Sequence, residues 1–148
     1  MTQGQRLARF ARAVRESSLK RFRQVRPEDM SWRPAPGRLS FVDHLKHLAD
    51  CDRWILAVLK GDPEPHADIR PGDGDPTSWD AYMAGMEVTL DEKCRLLEGA
   101  TDGDLDHLVD KPAHLGRPEA GSVILRENLD HEIHHRGMVQ LLLKLRYG

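Results

Sequence analysis

The chain of 148 residues holds two cysteines, Cys51 and Cys94, and they form no C-x-x-C pair. That spacing argues against a disulfide framework and suits a reducing cytoplasm. No apolar run approaches the roughly 18 residues that a membrane span requires. A dominant charge is lacking too: the formal net charge is −2, so the total gives no pointer to nucleic acid. Finally, no segment shows a convincing strand periodicity.

What charge there is lies unevenly. From Met1 to Pro27 there are seven arginines, one lysine (Lys20) and one acid, Glu16. A basic amphipathic helix can meet membranes or nucleic acid, but such a run is usually a solvated bundle face, and it is read as that here. An Arg-rich, acid-poor N-terminus also resembles an organelle-targeting peptide. Against this, Leu7, Phe10, Ala11, Val14, Ser18, Phe22 and Val25 recur at threes and fours, the pattern of a core helix. Length sets the rest of the frame: residues 1–148 make one ordinary domain with one sizeable core.

Four helical segments follow from the periodicity. The first runs from about Gln5 to Gln24 and ends before the turn-rich "RPEDMSWRPAPGR". The second opens on a capping box, Ser40 and Asp43, and runs to about Lys60, where Gly61 and Pro63 stop it. The third is capped by Thr77 or Ser78 and carries Trp79, Tyr82, Met83, Met86, Leu90 and Leu97 on one stripe. A helical turn is expected at Asp102–Leu108, and the fourth helix runs from Ser122 to about Arg146. The expected architecture is an all-α four-helix bundle. The connection between helices two and three, about 16 residues, reaches ~50 Å when extended, whereas a 20-residue helix is only ~30 Å long. It can therefore cross the bundle and let those two helices run parallel.

The chemistry sits in "LDHEIHHRGM", residues 129–138. At about 100° per residue, His131 and His135 fall some 40° apart, on a stripe with Ile124, Met138, Leu142 and Leu145 that is expected to face the core. Helix two has a matching stripe, His44, His47, Cys51, Trp54 and Val58, beside an apolar one of Phe41, Leu45, Leu48, Ile55 and Leu59. A single histidine on an apolar face most often bonds to a protein acceptor. Three imidazoles on facing core stripes point instead to a divalent metal, held with open positions as metal catalysis requires. This geometry leaves open whether His44 or His47 supplies the third ligand. It also exposes a second apolar strip on helix four, Leu125, Leu129 and Ile133, which one bundle interior cannot bury as well; a homodimer is expected.

The string His131-Glu132-x-x-His135 matches the H-E-x-x-H of zinc peptidases. The context does not. No His, Asp or Glu follows His135, and no strand is available to bind a peptide. A peptidase is set aside.

With "WRPAPG" (Trp32 to Gly37) leading into "SFVDHLKHLAD", and "HEIHHRG" followed by "LLLKLRYG", the chain resembles the DinB/YfiT-like superfamily of metal-dependent enzymes over essentially its whole length. The resemblance implies an up-down-down-up four-helix bundle, frequent dimerisation, and a metal site that falls on His47, His131 and His135. It also implies a small-molecule substrate, with relatives that are thiol-dependent transferases or isomerases and others called hydrolases. Met138 departs from the family, which usually has Gln there. Zinc or nickel is the expected metal, with iron or manganese as alternatives; imidazole ligands suit zinc, nickel and iron alike. The alternative is a non-catalytic, metal-stabilised bundle, a stress-related binding protein. His44 and His134 are candidates for outer-shell roles, Glu127 and Glu132 for a base or fourth ligand, and Cys51 for a core position; His66, His107 and His114 receive no role.

Overall fold

The computed structural model describes residues 1–61, 68–110 and 113–148. Pro63, expected to stop the second helix, and His66 lie outside the described residues. The protein is all-helical, and among the described residues no strand forms; Leu108 and Glu119 make an isolated bridge. Helix α1 spans Gln3–Phe22, α2 Phe41–Leu59, α3 Trp79–Gly99 and α4 Asp102–Asp106. Then α5, Ala120–Val123, passes into a π-helical segment, Ile124–Asp130, and on into α6, His131–Tyr147. Among the described residues no helix is long and apolar enough to cross a membrane.

Local chemistry sets the boundaries. Thr2 with Gln5, Ser40 with Asp43 and Thr101 with Asp104 form reciprocal capping boxes at α1, α2 and α4, each satisfying two backbone donors that a helix start leaves open. Asp43 does more than cap. Its carboxylate also accepts from the backbone N–H of Gly72 and of Gly74, at 3.1 and 2.8 Å. The crossover is thus pinned to the first turn of α2, and it comes so close that a Cβ on Gly74 would lie 2.5 Å from the carbonyl carbon of Val42. Only glycine fits there.

The helices pack through three apolar clusters. One joins Phe22, Phe41, Leu45, Met86 and Val139, a second joins Ala11, Cys94, Leu97, Ile124 and Leu129, and a third joins Ile55, Val58, Ala120 and Val123. Each fully buried Leu, Ile or Phe contributes about 1.5–3 kcal/mol. The residue pairs show how the elements lie. Near its start α2 meets the approach to α3 at Val42 and Gly74, and near its end Lys60 pairs with Glu92 of α3. Helix α1 places Phe22 against Trp79 and Gly4 against Leu97 of α3. It places Arg15 on Glu132, and the backbone of Arg26, just beyond its end, on Tyr147.

Several positions differ from the sequence expectation. Phe10 is exposed, and α1 buries Ala8 instead. Met138 and Leu145, expected in the core, are exposed; the buried face of α6 is Glu132, His135, Val139, Leu142 and Leu143. Conversely Leu129 is fully buried, while Leu125 and Ile133 are half-buried, so these three form no exposed strip. The π segment accounts for Leu129. Its wider turn aligns residues five apart, and Ile124 and Leu129 both point into the core.

Candidate metal centre

Helix α2 turns both of its first two histidines inwards, His44 at 2 % and His47 at 8 % exposure. Across from them, α6 presents His131, half-buried, and His135, buried. His131 and His135 are one turn apart and project to the same side, as the i, i+4 relation requires. His131 Nε2 lies 3.1 Å from His47 Nε2 and 3.1 Å from His135 Nε2. His47, His131 and His135 therefore form a cluster that could hold a metal ion, with one nitrogen of each within 4.8 Å of the others.

The spacing fits a metal. Bonds of about 2.0–2.1 Å to one ion place neighbouring nitrogens roughly 2.9–3.4 Å apart, in octahedral or tetrahedral geometry. Protons fit less well: a single proton on His131 Nε2 cannot serve both contacts, whereas a cation receives all three lone pairs at once.

His44 does not join the cluster. Its Nδ1 lies 2.9 Å from His135 Nδ1, on the edge of that ring facing away from the three Nε2 atoms. Burial pushes the His44 pKa down to about 4, so this imidazole is neutral at pH 7. His135 is pushed down as well, by burial first and by the neighbouring His131, His44 and His47 next. His134 is exposed, with its ring centroid 5.4 Å from that of His135. Cys51 is buried one turn after His47, with Sγ 3.6 Å from His47 Nε2, and burial pushes its thiol up to about 12.

The two acids considered for the site lie elsewhere. Glu127 is exposed. Glu132 is buried at 2 % and turned away from solvent onto Arg15, whose Nε donates to Oε1 at 2.9 Å and whose Nη2 donates to Oε2 at 3.0 Å. Arg15 is thus an exception to the solvated arginine face. Arg12 and Arg23 keep to that face, paired on the surface with Asp91, Glu98 and Glu87.

Arg15 and Glu132 belong to a buried polar cluster. Arg15 Nη2 also donates to Asp52 Oδ2 at 2.6 Å. Lys93 Nζ donates to Asp52 Oδ1 at 3.1 Å and to Asn128 Oδ1 at 2.6 Å, and Asn128 Nδ2 returns a bond to Asp52 at 3.0 Å. Burial alone would raise the Asp52 carboxyl, but the charges of Arg15 and Lys93 outweigh it and hold the group well below the usual carboxylate range. Among the described residues no buried side-chain polar atom lacks a partner. Sequence reasoning missed this cluster, although a signal was there. On each long helix a charge interrupts the apolar stripe: Arg15 beside Val14 and Leu19, Asp52 between Leu48 and Ile55, Lys93 between Leu90 and Leu97, Glu132 between Leu129 and His135.

A cavity of about 450 Å³ opens at the other end of α2, lined by Val58, Leu97, Leu105, Val109, Ala120 and Ile124 among others, and no histidine of the cluster reaches it.

Known proteins resemble this chain in sequence and in fold. Protein YjoA of Bacillus subtilis (strain 168) is 25 % identical over 114 residues, which cover 77 % of this chain and 71 % of YjoA. The crystal structure of that DinB-like protein superposes with a TM-score of 0.70 at 14 % identity, covering 97 % of this chain and 93 % of the other. Residues 11–139, a span that includes His47, His131 and His135, match the family model of the DinB superfamily. The chain belongs to the DinB superfamily.

Proposed function

We propose that the protein is a metal-dependent enzyme acting on a small molecule, with one divalent metal held by His47, His131 and His135. The observation that carries this reading is the convergence of three Nε2 atoms at 3.1 Å contacts. Three neutral protein ligands leave the ion its full charge and open positions, where it would act as a Lewis acid on water or on a thiol. Zinc or nickel suits three imidazoles best, with iron or manganese as alternatives. The chain's own residues divide the remaining work. His44 orients His135, His134 stays exposed beside that ring without joining the ligands, and Glu132, engaged by Arg15, takes no part as a base.

Two reactions fit such a centre: transfer to or from a low-molecular-weight thiol, and hydrolysis. The test is to supply metal-loaded protein with thiol plus electrophile, and separately with ester and amide substrates. Turnover that disappears with chelator and in His131→Ala supports the enzyme; no turnover in either set contradicts it.

The scaffold belongs to the same proposal. The pairings of α1 with α3 and α6, and of α2 with α3, support an up-down-down-up four-helix bundle in which the crossover lets α2 and α3 run parallel. A homodimer is supported by a different strip from the one read in the sequence: Met138, Leu141 and Leu145 are exposed at steps of three and four along α6.

A second reading, a non-catalytic metal-stabilised binding protein, is favoured by Cys51. A structural zinc closes its shell with four protein ligands, and the Cys51 sulfur stands 3.6 Å from His47 Nε2. Cobalt-substituted protein separates the two. An intense sulfur-to-metal charge-transfer band that is lost in Cys51→Ser supports closure, and its absence supports the open site.

A further inference from the structure

Arg15 contributes nothing to the histidine cluster, yet its guanidinium touches every long helix. It springs from α1, donates to the Met86 carbonyl of α3, bonds Asp52 of α2 at 2.6 Å, and grips Glu132 of α6 with two parallel bonds at 2.9 and 3.0 Å. The last two contacts matter most. Asp52 lies on the helix that carries His47, and Glu132 stands between His131 and His135. A single planar group, at 1 % exposure, therefore spans the two helices that carry the histidines.

We infer that Arg15 is a positioning residue for the metal centre, fixing the spacing of α2 and α6 so that the three imidazoles stay converged. This rests on the metal reading above. Stability alone is a poor reason for the cluster, since well-packed apolar residues commonly replace a buried ion group without loss. What a rigid guanidinium adds is a fixed distance and plane between two carboxylates, which lysine cannot reproduce. Lys93 and Asn128 extend the tie to the π segment, whose end is the start of α6 at His131. Ligand sites tolerate only about 0.5 Å of displacement, so a support one residue away from a ligand on α6 bears directly on affinity.

The experiment titrates Co²⁺ into the full chain, following the d–d absorption, for wild type, Arg15→Lys, Glu132→Gln and Leu97→Ala. Leu97 is buried in a different apolar cluster, and its truncation controls for general destabilisation. Circular dichroism and thermal melts accompany each variant. Expected results are a rise in Co²⁺ Kd of roughly 10- to 100-fold for Arg15→Lys, the range for outer-shell partners, with a weakened d–d band at saturation. Glu132→Gln, which keeps its shape and one acceptor, should shift in the same direction by less. Leu97→Ala should lower Tm and leave the Kd within about twofold of wild type. Unchanged affinity and spectrum in folded Arg15→Lys or Glu132→Gln overturns the inference, and so does an equal loss in Leu97→Ala. Unfolding of both charge variants also overturns it, because the cluster would then serve folding rather than spacing. If wild type itself binds no cobalt, the metal reading fails and takes this inference with it; if wild type binds and the variants match it, only the inference fails.

Discussion

His44 Nδ1 sits 2.9 Å from His135 Nδ1, while His135 Nε2 faces His131 on the opposite side of the same ring. For His135 to offer an Nε2 lone pair, its proton must rest on Nδ1, and His44 is the group placed to accept it. Helix α2 thus contributes twice, through His47 in the cluster and through His44 behind it.

His44→Ala should therefore weaken metal binding about tenfold without abolishing it, as expected when a ligand loses its orienting partner. His44→Asn, which can still accept through Oδ1, should recover part of the loss. Competition against a chromophoric chelator measures both. Loss of all metal in His44→Ala at saturating concentration would make His44 a ligand itself.

Acid stability should report on Asp52. Its folded-state pKa is held below the ordinary carboxylate value, by Arg15 and Lys93 acting against burial. A depressed folded pKa contributes stability that is fully present above the unfolded value, near 4, and is lost as pH falls through the folded one. Urea melts of metal-free protein should accordingly weaken as the pH drops below about 4. Asp52→Asn should be less stable at pH 7 and show a shallower acid slope. An identical slope in the variant would remove Asp52 as its source.

Gly74→Ala tests the anchored crossover. The added Cβ would meet the Val42 carbonyl carbon at 2.5 Å and the Asp43 nitrogen at 2.7 Å, both backbone atoms that cannot swing aside. A loss of about 1–3 kcal/mol is expected, read as a lowered denaturation midpoint. An unchanged midpoint would mean that the loop moves off α2 without cost.

The proposed homodimer should separate on charging the exposed strip of α6. Leu141→Glu with Leu145→Glu should convert a dimer into a monomer by light scattering at micromolar concentration, with helicity retained. A wild type that is already monomeric there contradicts the dimer.

Much of this molecule was legible in its residues, and the failures have physical causes. The capping box at Ser40, the third-helix stripe and the inward histidines follow from local chemistry and a 3.6-residue period, and α2 obeys that period throughout. The last helix does not. Its π segment inserts a five-residue step between Ile124 and Leu129, so an angle projected at about 100° per residue misplaced Leu129. Met138 and Leu145 lie beyond that segment, on the side of His135 opposite the buried Val139 and Leu143. Arg15 was read as part of a solvated face because charges on single helices usually are, and Glu132 was weighed as a base or fourth ligand. Their burial depends on partners on other helices, Asp52 and Lys93 among them, which no single-helix pattern reveals. The choice of His47 over His44 was likewise beyond helical geometry, because both point inwards and only the position of α6 separates them.

The central claim is that His47, His131 and His135 hold one divalent metal. Its most direct test is elemental analysis of metal per chain at pH 7.5 for wild type, His47→Ala, His131→Ala, His135→Ala and His134→Ala. Wild type and His134→Ala should carry close to one metal each. The other three should lose most of theirs, because two imidazoles bind far more weakly than three. Full occupancy in His131→Ala or His135→Ala would contradict the account.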